Sequence, residues 1–215
     1  IWYFLISPHV KSNAPVFNMT KYAQYWSQKA NCPIPAFFNY SFNSNIMSKT
    51  ALFYSPEGGS VNRVTDKLGE LIGNDKVDIL PVKEVEKGDI HKYNKIILVG
   101  STVGADHWNN EILVDEWTEF FTKIKWISFE SKKVAIVGLG NSVLYPSHFA
   151  DGMAVLYEKI KKQNAKILGK VDAKDYDFTD SEALNDDGFF CGLAIDEDNE
   201  AELTTERLEK WILLL

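Results

Sequence analysis

Thr50-Ala51-Leu52-Phe53-Tyr54-Ser55-Pro56-Glu57-Gly58-Gly59-Ser60-Val61 passes from an unbroken apolar run, through a paired-glycine turn, into a segment of helical period. An apolar run without polar alternation suits a parallel strand, because both of its faces must be covered by helices. Val61, Val64, Leu68, Leu71 and Ile72 then recur at three- and four-residue spacing and mark one face of the helix that follows. The same unit returns along the chain. Residues 96–99 and 134–137 are apolar throughout, and residues 77–82 form a weaker run suited to an edge. Ile112, Leu113, Trp117, Phe120, Phe121 and Ile124 mark a second helix face. Phe149, Met153, Leu156, Tyr157 and Ile160 mark a third, and Leu208, Trp211, Ile212 and Leu215 a last. A fifth strand reads as two halves, residues 167–171 and 189–194, parted by a polar insert over 172–188. An insert of that length inside a compact domain needs a reason.

Strands alternating with helices at this spacing predict right-handed crossovers and a doubly wound parallel α/β sheet, here of five strands in the order 2-1-3-4-5. In such sheets ligands bind beyond the carboxyl ends of the strands, where the winding reverses between strands 1 and 3. The loops that meet there are residues 55–61, 101–110 and 139–147.

Charge divides the chain. Residues 1–47 hold no Asp or Glu and only Lys11, Lys21 and Lys29, so the remainder carries all 30 acidic residues and 20 of the 23 basic ones, a net charge of −10. A surface that acidic disfavours nucleic acid and anionic membranes and suits partners with basic faces. Residues 1–46 are crowded with aromatics and asparagines, show no sustained period, and have neither the basic start nor the cleavage site of a secretory signal. They are read as a non-domain extension, disordered or translated upstream sequence, ahead of a start at Met47 in Met47-Ser48-Lys49-Thr50; residues 47–215 are the domain. No run reaches the roughly 18 apolar residues that a membrane helix needs. Cys32 and Cys191 give neither a metal spacing nor a disulfide framework, which points to a reducing, cytoplasmic setting and to no metal centre. Cys191 lies in an apolar run and reads as core; His91, His107 and His148 read as surface.

Three loops carry the chemistry. In Ser55-Pro56-Glu57-Gly58-Gly59-Ser60-Val61 the glycines let backbone N–H groups approach an oxyanion, and the helix dipole adds partial positive charge. The loop has no lysine, so it is not a Walker-type nucleotide loop. The second loop holds Ser101-Thr102-Val103-Gly104 and then Trp108. The third holds Leu139-Gly140-Asn141-Ser142 and then Tyr145. Aromatics from two loops at one sheet edge suit a flat ring held between them.

These residues resemble the long-chain flavodoxins across nearly all of 49–215. Gly140-Asn141-Ser142-Val143-Leu144-Tyr145, followed by Phe149 and Asp151, is similar to the family's third flavin loop, G-D-Q-x-G-Y-x-x-x-F-x-D. Tyr176-Asp177-Phe178, Ser181 and Ala183 resemble the long-chain insert. Gly192-Leu193-Ala194-Ile195-Asp196-Glu197-Asp198-Asn199, with Leu203-Thr204, Arg207 and Trp211, resembles the closing segment almost residue for residue. Flavodoxins are themselves a standing example of the switch-point rule, so the site's location is applied to this chain rather than found anew. The resemblance implies FMN, with Tyr145 on the outer flavin face. It places Leu139, Gly140 and Asn141 along the ring's polar edge, Asp198 near the ribityl chain, and Thr102 at the reorienting second loop.

The chain also departs from the family. The phosphate loop T-x-T-G-x-T reads Pro56, Glu57, Gly58, Gly59, Ser60 and Val61, so all three threonine hydroxyls are gone. Each such bond to a charged acceptor is worth roughly 1.5–3 kcal/mol; Ser55, Ser60, the backbone amides and Asn62 or Arg63 are the available replacements. Val103 stands where a tryptophan is common, leaving Trp108 or Val103 to cover the inner face, and Asn141 replaces an aspartate.

The resemblance implies a low-potential, one-electron carrier without a substrate of its own, a monomer exchanging electrons with reductase-like donors and low-potential acceptors through basic docking surfaces. At an effective dielectric near 20, a negative charge about 4 Å from a reduced flavin costs of order 4 kcal/mol, which favours a strong reductant. Two other readings stay open: a flavodoxin-like NAD(P)H-dependent quinone or flavin reductase, and a flavodoxin fold that has lost FMN and serves as a binding module. The composition before Met47 also generates a test. A chain beginning at Met47 should melt within a few degrees of the full chain in a calorimetric scan; a larger drop would make residues 1–46 part of the folded unit.

Overall fold

A computed structural model of the chain describes residues 49–101 and 115–215. The expectations for residues 1–46, for Thr102, Val103, Gly104, His107 and Trp108, and for Ile112 and Leu113 lie outside the described residues.

The described elements alternate as the apolar runs predict. In chain order they are β1 (Thr50–Ser55), α1 (Gly59–Ile72), β2 (Val77–Pro81), α2 (Lys87–Ile90), β3 (Lys95–Gly100), α3 (Glu116–Lys123), β4 (Lys133–Leu139) and α4 (Gly152–Lys161). Then come β5 (Lys166–Leu168), β6 (Val171–Asp172), β7 (Phe189–Phe190), β8 (Leu193–Ile195) and α5 (Thr204–Ile212). The main sheet has the order β2-β1-β3-β4-β5, with β8 also on β4, and all of its described pairs are parallel.

Each central strand feeds two cores. Ala51 and Phe53 of β1, Ile96 and Leu98 of β3, and Val134 and Ile136 of β4 face one cluster, closed by Trp117, Phe120, Met153, Leu156 and Ile160 of α3 and α4. Leu52 and Tyr54, Ile97 and Val99, and Ala135 and Val137 face the other, closed by Val61, Val64 and Leu68 of α1 and Leu208 and Trp211 of α5. This is why the strands read as continuous apolar runs: neither set of alternate residues sees water. At the edge, β2 is only half-buried beyond Val77.

The fifth strand is split as expected, but its halves are shorter. Lys166–Leu168 pairs with Lys133–Ala135, and Leu193–Ile195 pairs with Val137–Leu139. Because β3 occupies the other side of β4, both halves lie on the same edge. Val171, Phe189 and Phe190, assigned to the strand from their apolarity, instead form a small antiparallel ribbon at the neck of the insert. Its cause is aromatic packing. Phe190 meets Tyr176 and Phe178 from the insert and Phe149 from the third loop, with ring centroids 5.2–6.0 Å apart.

Polar bonds lock the insert down. The Tyr176 hydroxyl donates to the Ala194 carbonyl at 3.0 Å, and the Arg207 guanidinium lies over the Tyr176 ring at 4.2 Å while pairing with Glu200. The buried Ser181 hydroxyl donates to the Phe149 carbonyl at 2.6 Å. Cys191 is buried in the same region, and burial pushes its thiol up to about 12.

The Trp211 indole N–H donates to the Gly169 carbonyl at 2.7 Å, tying α5 to the chain just after β5. Trp211→Phe keeps most of the apolar volume and orphans that buried carbonyl. Urea unfolding should show a loss of about 1–3 kcal/mol; a loss within error would mean that water takes over the bond.

Candidate functional site

Strands β1 and β3 end level, and β4 runs one residue further. Ser55 is in register with Gly100, and Gly100 with Gly138, so the three following loops start side by side. A cavity of about 1020 Å³ opens at that edge. Pro56, Gly58, Gly59, Ser60, Val61, Ser101, Leu139, Gly140, Asn141, Tyr145, Asp151 and Asp198 all line it. The switch-point expectation thus brings together twelve of the residues singled out from the sequence.

The first loop is open backbone. Gly58 and Gly59 have φ of +86° and +61°, and a Cβ on either would meet nothing within 4 Å. The glycines serve the left-handed conformation rather than a tight space. Helix α1 starts at Gly59 with no acidic residue in its first turn. The amides of its first residues have no intrahelical acceptor. The Gly58 amide is already used, donating to Asn62 Oδ1 at 2.6 Å.

Three of the residues singled out are not among those lining the cavity. Glu57 pairs with Lys83 on the turn after β2, and that carboxylate raises the Lys83 ammonium pKa. Ser55 is buried and donates to Glu116 Oε2 at 2.8 Å, bracing the start of α3. Phe149 is buried in the aromatic cluster above the insert. An aromatic side chain inside a ligand loop does not reveal from sequence whether it faces the ligand or the core.

The third loop is held from below by Asp196, which is 1% exposed. Its carboxylate accepts from the amides of Ser142 at 2.8 Å and of Asp198 and Asn199 at 3.0 Å, and from the Asn199 side chain. Burial works against its charge, but the bonds from Ser142 and Asn199 outweigh burial and hold the carboxyl below its ordinary pKa. Asn141 continues the network: Oδ1 accepts from the Leu144 amide at 2.7 Å, and Nδ2 donates to Asp198 at 2.9 Å. Gly140 is a case of close approach, since a Cβ there would stand 2.6 Å from the Ala150 backbone nitrogen. Tyr145 is 58% exposed on the cavity wall beside exposed Val143 and Leu144.

Several lining residues were missed in the sequence. Asp115 and Thr118 belong to the start of α3, where the Asp115 carboxylate caps the Thr118 amide at 2.6 Å. In the sequence both fall within the helical face read from Ile112 to Ile124, which marked them neither as a cap nor as a wall. His148, read as surface, is exposed yet lines the cavity, with Nδ1 2.9 Å from Asp151 Oδ2. Glu182 enters from the insert, and Glu197 from the closing segment beside Asp198. The arrangement offers amides at a helix start, a polar edge on the third loop and an exposed ring. It offers no nucleophile–base pair among the described residues.

Residues 52–211 match the family model described as flavodoxin. A flavodoxin from Nostoc sp. is 34% identical over 167 residues, covering 78% of this chain and 95% of that protein. A flavodoxin from Helicobacter pylori is 33% identical over 166 residues, covering 77% and 95%. Among solved structures, a Fusobacterium nucleatum flavodoxin bound to flavin mononucleotide superposes with a TM-score of 0.66 at 26% identity, covering 77% of this chain and 95% of that one.

Asp196 generates the test of how the third loop is held. A carboxyl with a lowered folded pKa stabilises fully above its unfolded value near 3.9, and the contribution is lost as pH falls through the folded value. Asp196→Asn should cost about 1.5–3 kcal/mol at pH 7 and lose less on acidification from pH 5 to pH 2 than the parent does. Parallel pH profiles of urea stability would remove Asp196 as a charged anchor.

Proposed function

Because the chain belongs to the flavodoxin family, we propose that the cavity holds FMN and that the protein carries electrons between redox proteins without a substrate of its own. The observation that carries this reading is the pairing, in one cavity, of a glycine-opened helix start with an exposed tyrosine and a polar loop edge. FMN, when bound, supplies reversible uptake of single electrons.

The residues fit the parts of that group. Gly59, Ser60 and Val61 open α1 with free amides toward a phosphate, and the dipole of a 14-residue helix favours an anion there. Amides do not need the missing threonines, and Asn62 fixes the turn by taking the Gly58 amide. Leu139, Gly140 and Asn141 would border the ring's polar edge, Tyr145 would stack on its outer face, and Asp198 would stand toward the ribityl chain. With Glu57 drawn to Lys83, the acidic residue of the loop is kept from the dianion.

The acidity of the domain extends the reading outward. A net charge of −10 after residue 47 suits donors and acceptors with basic docking faces, met as a monomer in a reducing cytoplasm, rather than nucleic acid or membrane. Among the described residues no helix is long and apolar enough to cross a membrane.

Titration of the apoprotein with FMN tests the proposal directly; a protein that stays colourless and binds none would refute it. Tyr145→Ala should weaken FMN by about 1–2 kcal/mol, a stacking-sized loss, and raise the potential of the lower-potential couple. Unchanged affinity and potentials would remove Tyr145 from the site.

A further inference from the structure

The phosphate end of the cavity carries a charge problem that the glycine loop does not solve. Glu197 lines the wall there, its side chain only 11% exposed, with one carboxylate oxygen accepting from the Thr204 hydroxyl. A phosphate monoester close to a dianion at neutral pH would sit in the same cavity as that carboxylate, and amides with a helix dipole supply only about half a positive charge. Arg63, one turn into α1, meets both. Its Nε lies 3.4 Å from Glu197 Oε2, and its Nη2 donates to Ser60 Oγ at 2.8 Å. The guanidinium has five donors, so two engaged contacts leave others free, and its side chain is 61% exposed.

We propose that Arg63 is the specificity-determining residue for the phosphate, neutralising Glu197 and supplying the cation that lets this threonine-free loop select FMN over riboflavin. The inference rests on the FMN reading above. Ser60 is the relay: its hydroxyl lines the cavity and holds the guanidinium, and its own hydrogen is left for an anion. Arginine suits the site in geometry as well as charge, because separate nitrogens of its planar fork reach the hydroxyl and the carboxylate together. Asn62, the other polar residue at this helix start, is already committed to the Gly58 amide.

The experiment is a fluorescence-quenching titration of the apoprotein with FMN and with riboflavin at two ionic strengths, for the parent, R63A, R63K and E197Q. R63A should weaken FMN by about tenfold, equal to about 1.4 kcal/mol, change riboflavin less than about twofold, and flatten the salt dependence of FMN binding. R63K should keep part of the preference. E197Q, which releases the guanidinium, should tighten FMN and leave riboflavin alone. An R63A variant that loses both flavins equally has lost packing, and one that loses neither has no phosphate role; either result overturns the inference. A parent that binds no FMN, or binds FMN and riboflavin equally, fails at the earlier step and overturns the phosphate site itself.

Discussion

The ladder that aligns Ser55 with Gly100, and Gly100 with Gly138, sets where everything else stands. Backbone bonds between parallel strands fix the register, and the register brings three strand ends to within one residue of the same level. At that level β3 and β4 carry glycines for a steric reason. A Cβ on Gly138 would lie 2.6 Å from the Met153 Cβ, and one on Gly100 would lie 3.2 Å from Leu156 and from the Trp117 indole nitrogen. Helices α3 and α4 therefore settle onto the sheet where its strands stop, and the cavity begins where the helices' cover ends.

That alignment would be idle without a core on each face. A slip of one residue in β1 would exchange Ala51 and Phe53 with Leu52 and Tyr54, moving small and large side chains into the wrong cluster. Burial of each large apolar side chain is worth roughly 1.5–3 kcal/mol, so the two packed faces hold the register together. Above the ladder the source of order changes from packing to polar bonds. Asp196 takes the place of a strand partner for the loop amides of Ser142, Asp198 and Asn199. The first loop has no such anchor beneath it; it is shaped by left-handed glycines and by Asn62 reaching back to Gly58.

What the sequence made legible follows the same division. The central strands were readable because burial on two faces leaves a continuous apolar run, and the 2-1-3-4-5 order followed from strands alternating with helices, as doubly wound sheets require. Most of the first and third loops was readable because position in such a sheet predicts where a loop points. The failures have physical causes. Phe189, Phe190 and Val171 are as apolar as strand residues, and only tertiary contact with Tyr176 and Phe178 places them in a separate ribbon. Glu57 and Phe149 sit in the expected loops with their side chains committed elsewhere, one to Lys83 and one to the core. The walls formed by Thr118, Glu182 and Glu197 come from segments remote in the chain. Nothing in local spacing announces that they converge.

Net charge alone would describe this cavity poorly, because its two ends treat acidity differently. At the helix start two carboxylates have a cation: Glu57 has Lys83 and Glu197 has Arg63. At the third loop, Asp196 and Asp198 are satisfied by amides and by Asn141, and among the described residues no ion pair neutralises them. A hydrogen bond from a neutral amide stabilises a carboxylate without cancelling its field at longer range. A flavin seated here would thus place its phosphate beside carboxylates paired with cations and its polar edge beside carboxylates that are not, with Lys159 of α4 elsewhere on the wall. Charge added to the ring on reduction would meet that field at an effective dielectric near 20, where 4 Å costs about 4 kcal/mol and 8 Å about 2 kcal/mol. With FMN seated so, the anion would be held at one end while a second negative charge would be opposed at the other, and that opposition would make a bound electron easier to give away.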